Sequence, residues 1–161
     1  TLVDAVLKFA QLKSGEHVLD LYGGVGLFTR FAADAVGPGG RVDLFEASTT
    51  AITDAHKNFA DEPHIRMHQG DVAKQVNVIK RADVVLLDPP RTGAGKDVIA
   101  KITKLYARAI IYIACDPAAL ARDTNYLKES GYSLTEIRAF DLFPETHHME
   151  CIALYLPDKV S

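Results

Sequence analysis

Cysteine is scarce. Only Cys115 and Cys151 occur in 161 residues, and they do not form a C-x-x-C pair. This argues against a secreted disulfide scaffold and against zinc or iron–sulfur sites, so no metal is expected. Positive charge is not in excess either: 18 Lys and Arg face 21 Asp and Glu, for a net charge of −3. Divided after Leu87, the two parts carry 9 basic residues each, against 11 and 10 acidic ones. A protein that captures nucleic acid by bulk charge would carry a basic surplus. A nucleic-acid partner would have to be met by a local patch or by a segment outside these residues. No apolar run approaches the ~18 residues of a membrane span, and the N-terminus lacks a signal-peptide pattern. The expectation is a cytoplasmic protein with no membrane partner. There is no internal repeat and no low-complexity tract. The start at Thr1 without Met suggests a C-terminal fragment of a longer protein.

What is present is a core-forming chain. Hydrophobic residues make up 48%, enough to exclude disorder as the main state. The length suits one domain spanning 1–161, expected as a monomer. Short apolar runs predict strands at His17–Leu21, Arg41–Phe45, Ile65–His68, Val84–Leu87, Ala109–Ile113, Leu134–Phe140 and Cys151–Leu156. Helical spacing predicts helices over Leu2–Gln11, Leu27–Val36, Thr49–Phe59, Asp71–Ile79, Asp97–Tyr106 and Pro117–Ser130. This alternation predicts an α/β fold built from βαβ units on a mostly parallel sheet. Between Phe140 and Cys151 the chain reads as a loop around Pro144 with no helix. The last two strands should therefore pair antiparallel. Seven strands with an antiparallel last pair, and helices on both faces, form the layout of the class I methyltransferase (Rossmann-like) fold.

Three strand ends carry candidate chemistry. The first strand runs through Asp20 into Tyr22-Gly23-Gly24-Val25-Gly26-Leu27-Phe28. A strand entering a glycine-rich turn and then a helix lets backbone approach a ligand at the carboxyl edge of the sheet. Glu46 follows about twenty residues on, where a carboxylate can accept two hydrogen bonds from a ribose diol. A dinucleotide fingerprint would place a third glycine where Thr29 stands. S-adenosylmethionine has no pyrophosphate and fits better, with Asp20 reaching its ammonium. Asp71 can meet an adenine amino group or simply cap the following helix. Asp88-Pro89-Pro90-Arg91 ends the fourth strand. Its two prolines make a stiff wall for a flat ring, and Arg91 can meet a phosphate. Cys115 ends the fifth strand just before a helix, where the dipole favours thiolate. Cys151 lies in an apolar run and reads as core. Glu150 precedes the last strand; partial desolvation there would raise its pKa toward a value suited to a base. His147-His148-Met149-Glu150 matches the spacing of no common metal site.

Taken together these residues resemble the uracil-5 RNA methyltransferases, which make 5-methyluridine in transfer and ribosomal RNA. The resemblance rests on four motifs in the family's order: Asp20 to Phe28, Asp88-Pro89-Pro90-Arg91-Thr92-Gly93, Cys115-Asp116-Pro117-Ala118-Ala119-Leu120-Ala121-Arg122-Asp123, and Asp141 to Glu150. It implies S-adenosylmethionine as cofactor and RNA as partner. It also implies Tyr22, Glu46 and Asp88 as cofactor contacts, Cys115 as nucleophile and Glu150 as base. With Asp20, Gly24, Gly26 and Asp71, these complete the expected site. Gly23, Leu27, Ala114 and Glu145 depart from the residues common in the family. Three other readings compete. One is an RNA cytosine-5 methyltransferase, whose nucleophile motif usually reads Thr-Cys-Ser. The second is a non-catalytic S-adenosylmethionine-binding module. The third, disfavoured by Thr29, is a nicotinamide oxidoreductase.

Overall fold

The computed structural model of the chain describes residues 1–143 and 148–159. Thus Pro144, Glu145, Thr146 and His147, which include the proline of the anticipated loop, lie outside the described residues. The apolar runs become β1 (His17–Leu21), β2 (Arg41–Glu46), β3 (Ile65–Gln69), β4 (Val84–Leu87), β5 (Ala109–Ala114), β6 (Tyr132–Phe143) and β7 (His148–Pro157). They form one sheet of order β3-β2-β1-β4-β5-β7-β6. Pairing is parallel from β3 through β5, and β7 runs antiparallel to both β5 and β6. The expected seven-stranded layout is therefore present. Every side chain of β4 and β5 is buried, as fits central strands covered on both faces.

The helices are α1 (Leu2–Ala10), α2 (Leu27–Val36), α3 (Thr49–Asn58), α4 (Val72–Gln75), α5 (Gly95–Ile102) and α6 (Pro117–Glu129). They divide the core in two. One half packs α1, α2 and α3 on the sheet through Val6, Phe9, Phe28, Val36 and Ile52. The other packs α4, α5 and α6 through Val72, Ile99, Ile102, Leu120 and Leu127.

Local chemistry sets the helix starts. Ser48 caps α3 by accepting from the Ala51 N–H at 3.2 Å. Asp116 caps α6 by accepting from the Ala118 and Ala119 N–H groups at 2.8 and 3.1 Å, with Pro117 in the first turn.

Two expectations are corrected. The helix expected over Asp71–Ile79 is one short turn, α4, followed by a 3-10 turn over Val76–Val78. Ile79 is extended, so its apolar side chain comes from the chain leaving the helix. The segment read as a loop from Phe140 to Cys151 is strand up to Phe143 and again from His148. Register shifts between Leu134 and Glu136 and between Asp141 and Phe143 break the two-residue period near the ends of β6, where the expected strand Leu134–Phe140 falls short.

A buried carboxylate joins the first three strands. Asp43 of β2 is fully buried and accepts from His17 Nε2 of β1 and His68 Nε2 of β3, both at 2.6 Å. Arg41 donates to both of its oxygens at 2.7 and 3.1 Å. Burial acts to raise its pKa, but the three donors together outweigh burial and hold the carboxyl well below the usual range. Its stabilising contribution is thus present above the unfolded carboxylate pKa and is lost only under strong acid. Asp43→Ala should cost about 3–5 kcal/mol at neutral pH, because it leaves Arg41 and two imidazoles without their acceptor. Urea unfolding of the two proteins checks this; a loss below about 1 kcal/mol would contradict it.

Candidate active site

The sheet register brings the candidate residues to one edge. Leu21, the last residue of β1, stands level with Phe45 of β2 and Leu87 of β4, and Leu87 stands level with Tyr112 of β5. Asp20, Glu46, Asp88 and Cys115 therefore lie at the carboxyl ends of four neighbouring parallel strands. Such an edge is where open α/β sheets bind ligands. A groove of about 600 Å³ lined by Pro38, Arg41, Glu62 and His64 lies near the amino ends of β2 and β3, the opposite edge.

The glycine turn is shaped by its neighbours. Tyr22, Gly24 and Gly26 have φ of 61°, 59° and 97°. The Gly23 N–H donates to the Phe45 carbonyl at 3.0 Å, fastening the turn to β2. A side chain at Gly26 would strike the Phe59 ring, so this glycine is needed for packing. A Cβ at Gly24 would meet nothing within 4 Å, so the space beside this part of the turn is open. A Cβ at Gly23 would strike Leu44 and come within 2.9 Å of Asp20 Oδ2, so the turn lies directly on that carboxylate.

Asp20 is fully buried. Its Oδ2 accepts from the Thr29 hydroxyl at 2.7 Å. Its Oδ1 is the one buried side-chain polar atom among the described residues that has no partner. Burial, with smaller contributions from Asp88 and Glu46, pushes its carboxyl up to about 7 against the Thr29 hydrogen bond. The folded chain thus holds a proton on Asp20 that the unfolded chain releases near pH 4. Stability contributed by this group must fall as pH rises from about 4 to about 7 and stay low above that. Asp20→Asn removes the charge and keeps the shape. It should match the wild type near pH 4 and unfold at a higher temperature at pH 8, by an amount worth on the order of a few kcal/mol. A melting-temperature series over pH checks this, and an equal loss at both pH values would contradict it.

Glu46 is half-buried and already engaged. Its Oε1 accepts from the Gly24 N–H at 3.0 Å and its Oε2 from the Ser48 N–H at 2.7 Å. Each oxygen keeps a second lone pair, so two further donors can still be accepted. Asp71 is exposed and caps α4, accepting from the Lys74 N–H at 3.2 Å. The capping alternative is realised, with one oxygen left for another donor. Tyr22 is half-buried; burial, then the charges of Asp71 and Asp123, push its hydroxyl up to about 12. It is a neutral donor at neutral pH.

Asp88 has much of its surface accessible yet lies among protein atoms that displace water. This burial, then the charge of Glu150, pushes its carboxyl up to about 6. Glu150 is half-buried, and burial raises its carboxyl above the usual range. Cys115 is half-buried, unpaired in any disulfide and part of neither core half, so its sulfur is not committed to the interior. Cys151, by contrast, packs against the core, and burial pushes its thiol up, with Glu150 adding to the effect. Ala114 pairs with Cys151 and Phe140 with Glu150. Continuing the β5–β7 register by one residue puts Cys115 opposite Glu150. Arg91, Thr92, Asp116 and Arg122 line an open groove of about 520 Å³ beside them. Among the described residues, no group of three His, Cys, Asp or Glu side chains is arranged to hold a metal ion. No described helix is long and apolar enough to cross a membrane.

Sequence reasoning missed Asp123. It is fully buried in α6 and accepts from the Tyr112 hydroxyl at 2.6 Å and the Ala94 N–H at 2.8 Å. Its place at the end of the Cys115 motif was the only signal.

Comparison with known proteins gives this edge a context. Residues 4–115 match the Methyltransferase small domain model. An RNA methyltransferase of Streptomyces avermitilis, otherwise uncharacterised, is 46% identical over 159 residues, covering 98% of the chain and 37% of that protein. The 23S rRNA (uracil(1939)-C(5))-methyltransferase RlmD of Acinetobacter baylyi is 36% identical, covering 96% of the chain and 35% of that protein. The crystal structure of the Pyrococcus abyssi tRNA (uracil-54, C5)-methyltransferase, in complex with S-adenosyl-L-homocysteine, superposes with a TM-score of 0.78 at 32% identity, covering 95% of the chain and 37% of that protein. The chain spans about a third of the length of the curated relatives it matches. Residues 74–158, more than half of the chain and holding both Cys115 and Glu150, match the model described as tRNA (Uracil-5-)-methyltransferase, and the chain belongs to that family.

Proposed function

We propose that residues 1–161 form one S-adenosylmethionine-dependent catalytic domain, which methylates carbon 5 of a uridine in RNA through a covalent bond between Cys115 and carbon 6. The observation that carries this is the register that sets Cys115, half-buried and free, opposite Glu150 at the edge shared with Asp20, Glu46 and Asp88. Partner RNA is engaged mainly through segments outside this chain, in keeping with the net charge of −3.

The residues present suit the cofactor. The orphaned Asp20 Oδ1 can accept from its ammonium, directly or through water. Glu46 has lone pairs left for the ribose hydroxyls, and the open space at Gly24 leaves room beside the turn. Asp71 keeps one oxygen for the adenine amino group, while Tyr22, Gly26 and Asp88 complete the edge. When bound, S-adenosylmethionine supplies a methyl group carried on a sulfonium.

Carbon 5 of uracil is too weak a nucleophile to take that methyl unaided. The Cys115 thiolate adds to carbon 6, forming a C–S bond and moving the double-bond electrons toward carbon 5 and the neighbouring carbonyl. Carbon 5 then takes the methyl group, the methyl–sulfur bond breaking with its electron pair left on the departing thioether sulfur, and still bears its hydrogen. Glu150 removes that proton; the electron pair re-forms the 5,6 double bond, the C–S bond breaks, and the thiolate returns to Cys115. Burial of Glu150 favours its protonated form, which makes its carboxylate a better base than an exposed one. The target base must leave its stack to reach Cys115.

Incubating the chain with RNA and methyl-labelled cofactor, then digesting to nucleosides, tests the reading. The label should appear in 5-methyluridine. Label in 5-methylcytidine would favour the cytosine enzyme, and cofactor binding with no labelled base, even when the chain is joined to the segments that engage RNA, would favour a binding module.

A further inference from the structure

Two of the motifs run past the residues the reaction uses: Thr92-Gly93 follows Asp88-Pro89-Pro90-Arg91, and Arg122-Asp123 lies two turns of α6 beyond Cys115. In the structure these two tails meet. Asp123 has no exposure. Its Oδ2 accepts from the Tyr112 hydroxyl at 2.6 Å and the Ala94 N–H at 2.8 Å, and its Oδ1 from the Gly95 N–H at 3.2 Å. Arg122 adds its own guanidinium to Asp123 Oδ1 at 3.1 Å and donates to the Thr92 carbonyl at 2.6 Å. Gly93 has φ of 81°, and a Cβ there would come within 2.6 Å of both Arg122 and Asp123. The loop after Asp88 is thus pressed onto α6 where only glycine fits.

Asp123 therefore ties three segments at one carboxylate. One is β5, through Tyr112, three residues before Cys115. The second is α6, whose first turn follows Cys115 directly. The third is the loop that leaves the Asp88-Pro89-Pro90 wall and opens α5. A buried charge is costly unless its hydrogen-bonding capacity is filled, and a well-packed apolar side chain would often stabilise the fold as well. A network of this kind holds geometry.

We infer that Asp123 is a positioning residue that fixes the spacing between Cys115 and Asp88, the two strand ends at which the pyrimidine is proposed to react. The inference rests on the proposed role of Cys115.

The test compares the chain with Asp123→Asn and with Tyr112→Phe, the milder change if the asparagine variant fails to fold. Three quantities are read: hydrogen exchange at the Ala94 and Gly95 amides, cofactor affinity, and the rate of covalent-adduct formation with RNA containing 5-fluorouridine. In Asp123→Asn an amide nitrogen replaces one accepting oxygen. Exchange at Ala94 and Gly95 should rise by at least roughly tenfold while the β1 and β2 amides are unchanged. Cofactor affinity, in which Asp88 is one contact among several, should fall by less than about fivefold, while adduct formation should slow by roughly 100-fold, as an ångström-scale misplacement of a nucleophile predicts. Tyr112→Phe should show the same split with smaller changes. A merely structural role would lower affinity and adduct rate together. That result, or a wild-type adduct rate in a chain whose loop has loosened, overturns the inference. If the wild type forms no adduct even when joined to the segments that engage RNA, the proposed role of Cys115 fails and takes the catalytic spacing with it. Unchanged exchange in both variants overturns the clamp whatever the adduct shows.

Discussion

Cys115→Ala should abolish methyl transfer to RNA while leaving cofactor binding unchanged. The loss should reach on the order of 10⁴-fold or more, because a residue that forms the covalent intermediate cannot be bypassed by its neighbours. The fold should tolerate the change. Cys115 is half-buried and belongs to neither core half, so the variant opens no deep cavity. The second cysteine cannot substitute. Cys151 packs against the core, and burial holds its thiol in the protonated form. Methyl transfer assayed beside calorimetric titration of the cofactor separates the outcomes. Lost transfer with intact binding is expected. Transfer within about tenfold of the wild type would remove Cys115 from the reaction, since loss of a covalent nucleophile costs far more.

Glu150→Gln should do the opposite to the intermediate: covalent RNA should accumulate on ordinary uridine. The thiolate can still add and carbon 5 can still take its methyl, but proton removal now lacks a base, and turnover should fall by roughly 10²–10⁴-fold. Burial raises the Glu150 carboxyl above the usual carboxylate range. A base must be deprotonated to act, so wild-type turnover should climb through mildly acidic pH and then level off. Glu150→Gln should lack that limb. Denaturing gels resolve the protein–RNA species, and a pH–rate profile resolves the limb. Turnover by Glu150→Gln near the wild-type rate, with no trapped species, would assign the proton to another group.

How much of this could be read beforehand depended on where the physical information lies. β1 and β4 fall at their expected bounds because β4 is a continuous apolar run and β1 an apolar run broken only by Asp20, each between turn-forming residues. The site edge was legible for the same reason: βαβ repetition alone brings the ends of β1, β2, β4 and β5 together. The ends of β6 and β7 were not, because bulges in β6 erase the alternation a strand would show. Contacts across strands were invisible. Nothing in the spacing of His17, Asp43 and His68 reveals that three strands converge on one carboxylate. Glu46 was expected about twenty residues past the glycine turn and closes β2, yet its bonds to the Gly24 and Ser48 amides depend on how the turn folds back. Asp123 stood in plain view at the end of a motif. Its meaning depends on Tyr112, Ala94 and Gly95, which only the packing of α6 brings to it.

The central claim concerns one sulfur atom, and peptide mapping reaches it directly. The chain is incubated with cofactor and RNA carrying 5-fluorouridine, in which fluorine replaces the hydrogen that Glu150 would remove, so the bond cannot be released. Digestion and mass spectrometry then locate the nucleotide. A methylated fluorouridine attached to the peptide containing Cys115 is the predicted result. A nucleotide attached elsewhere, or methylated RNA with no attached peptide, would contradict the account.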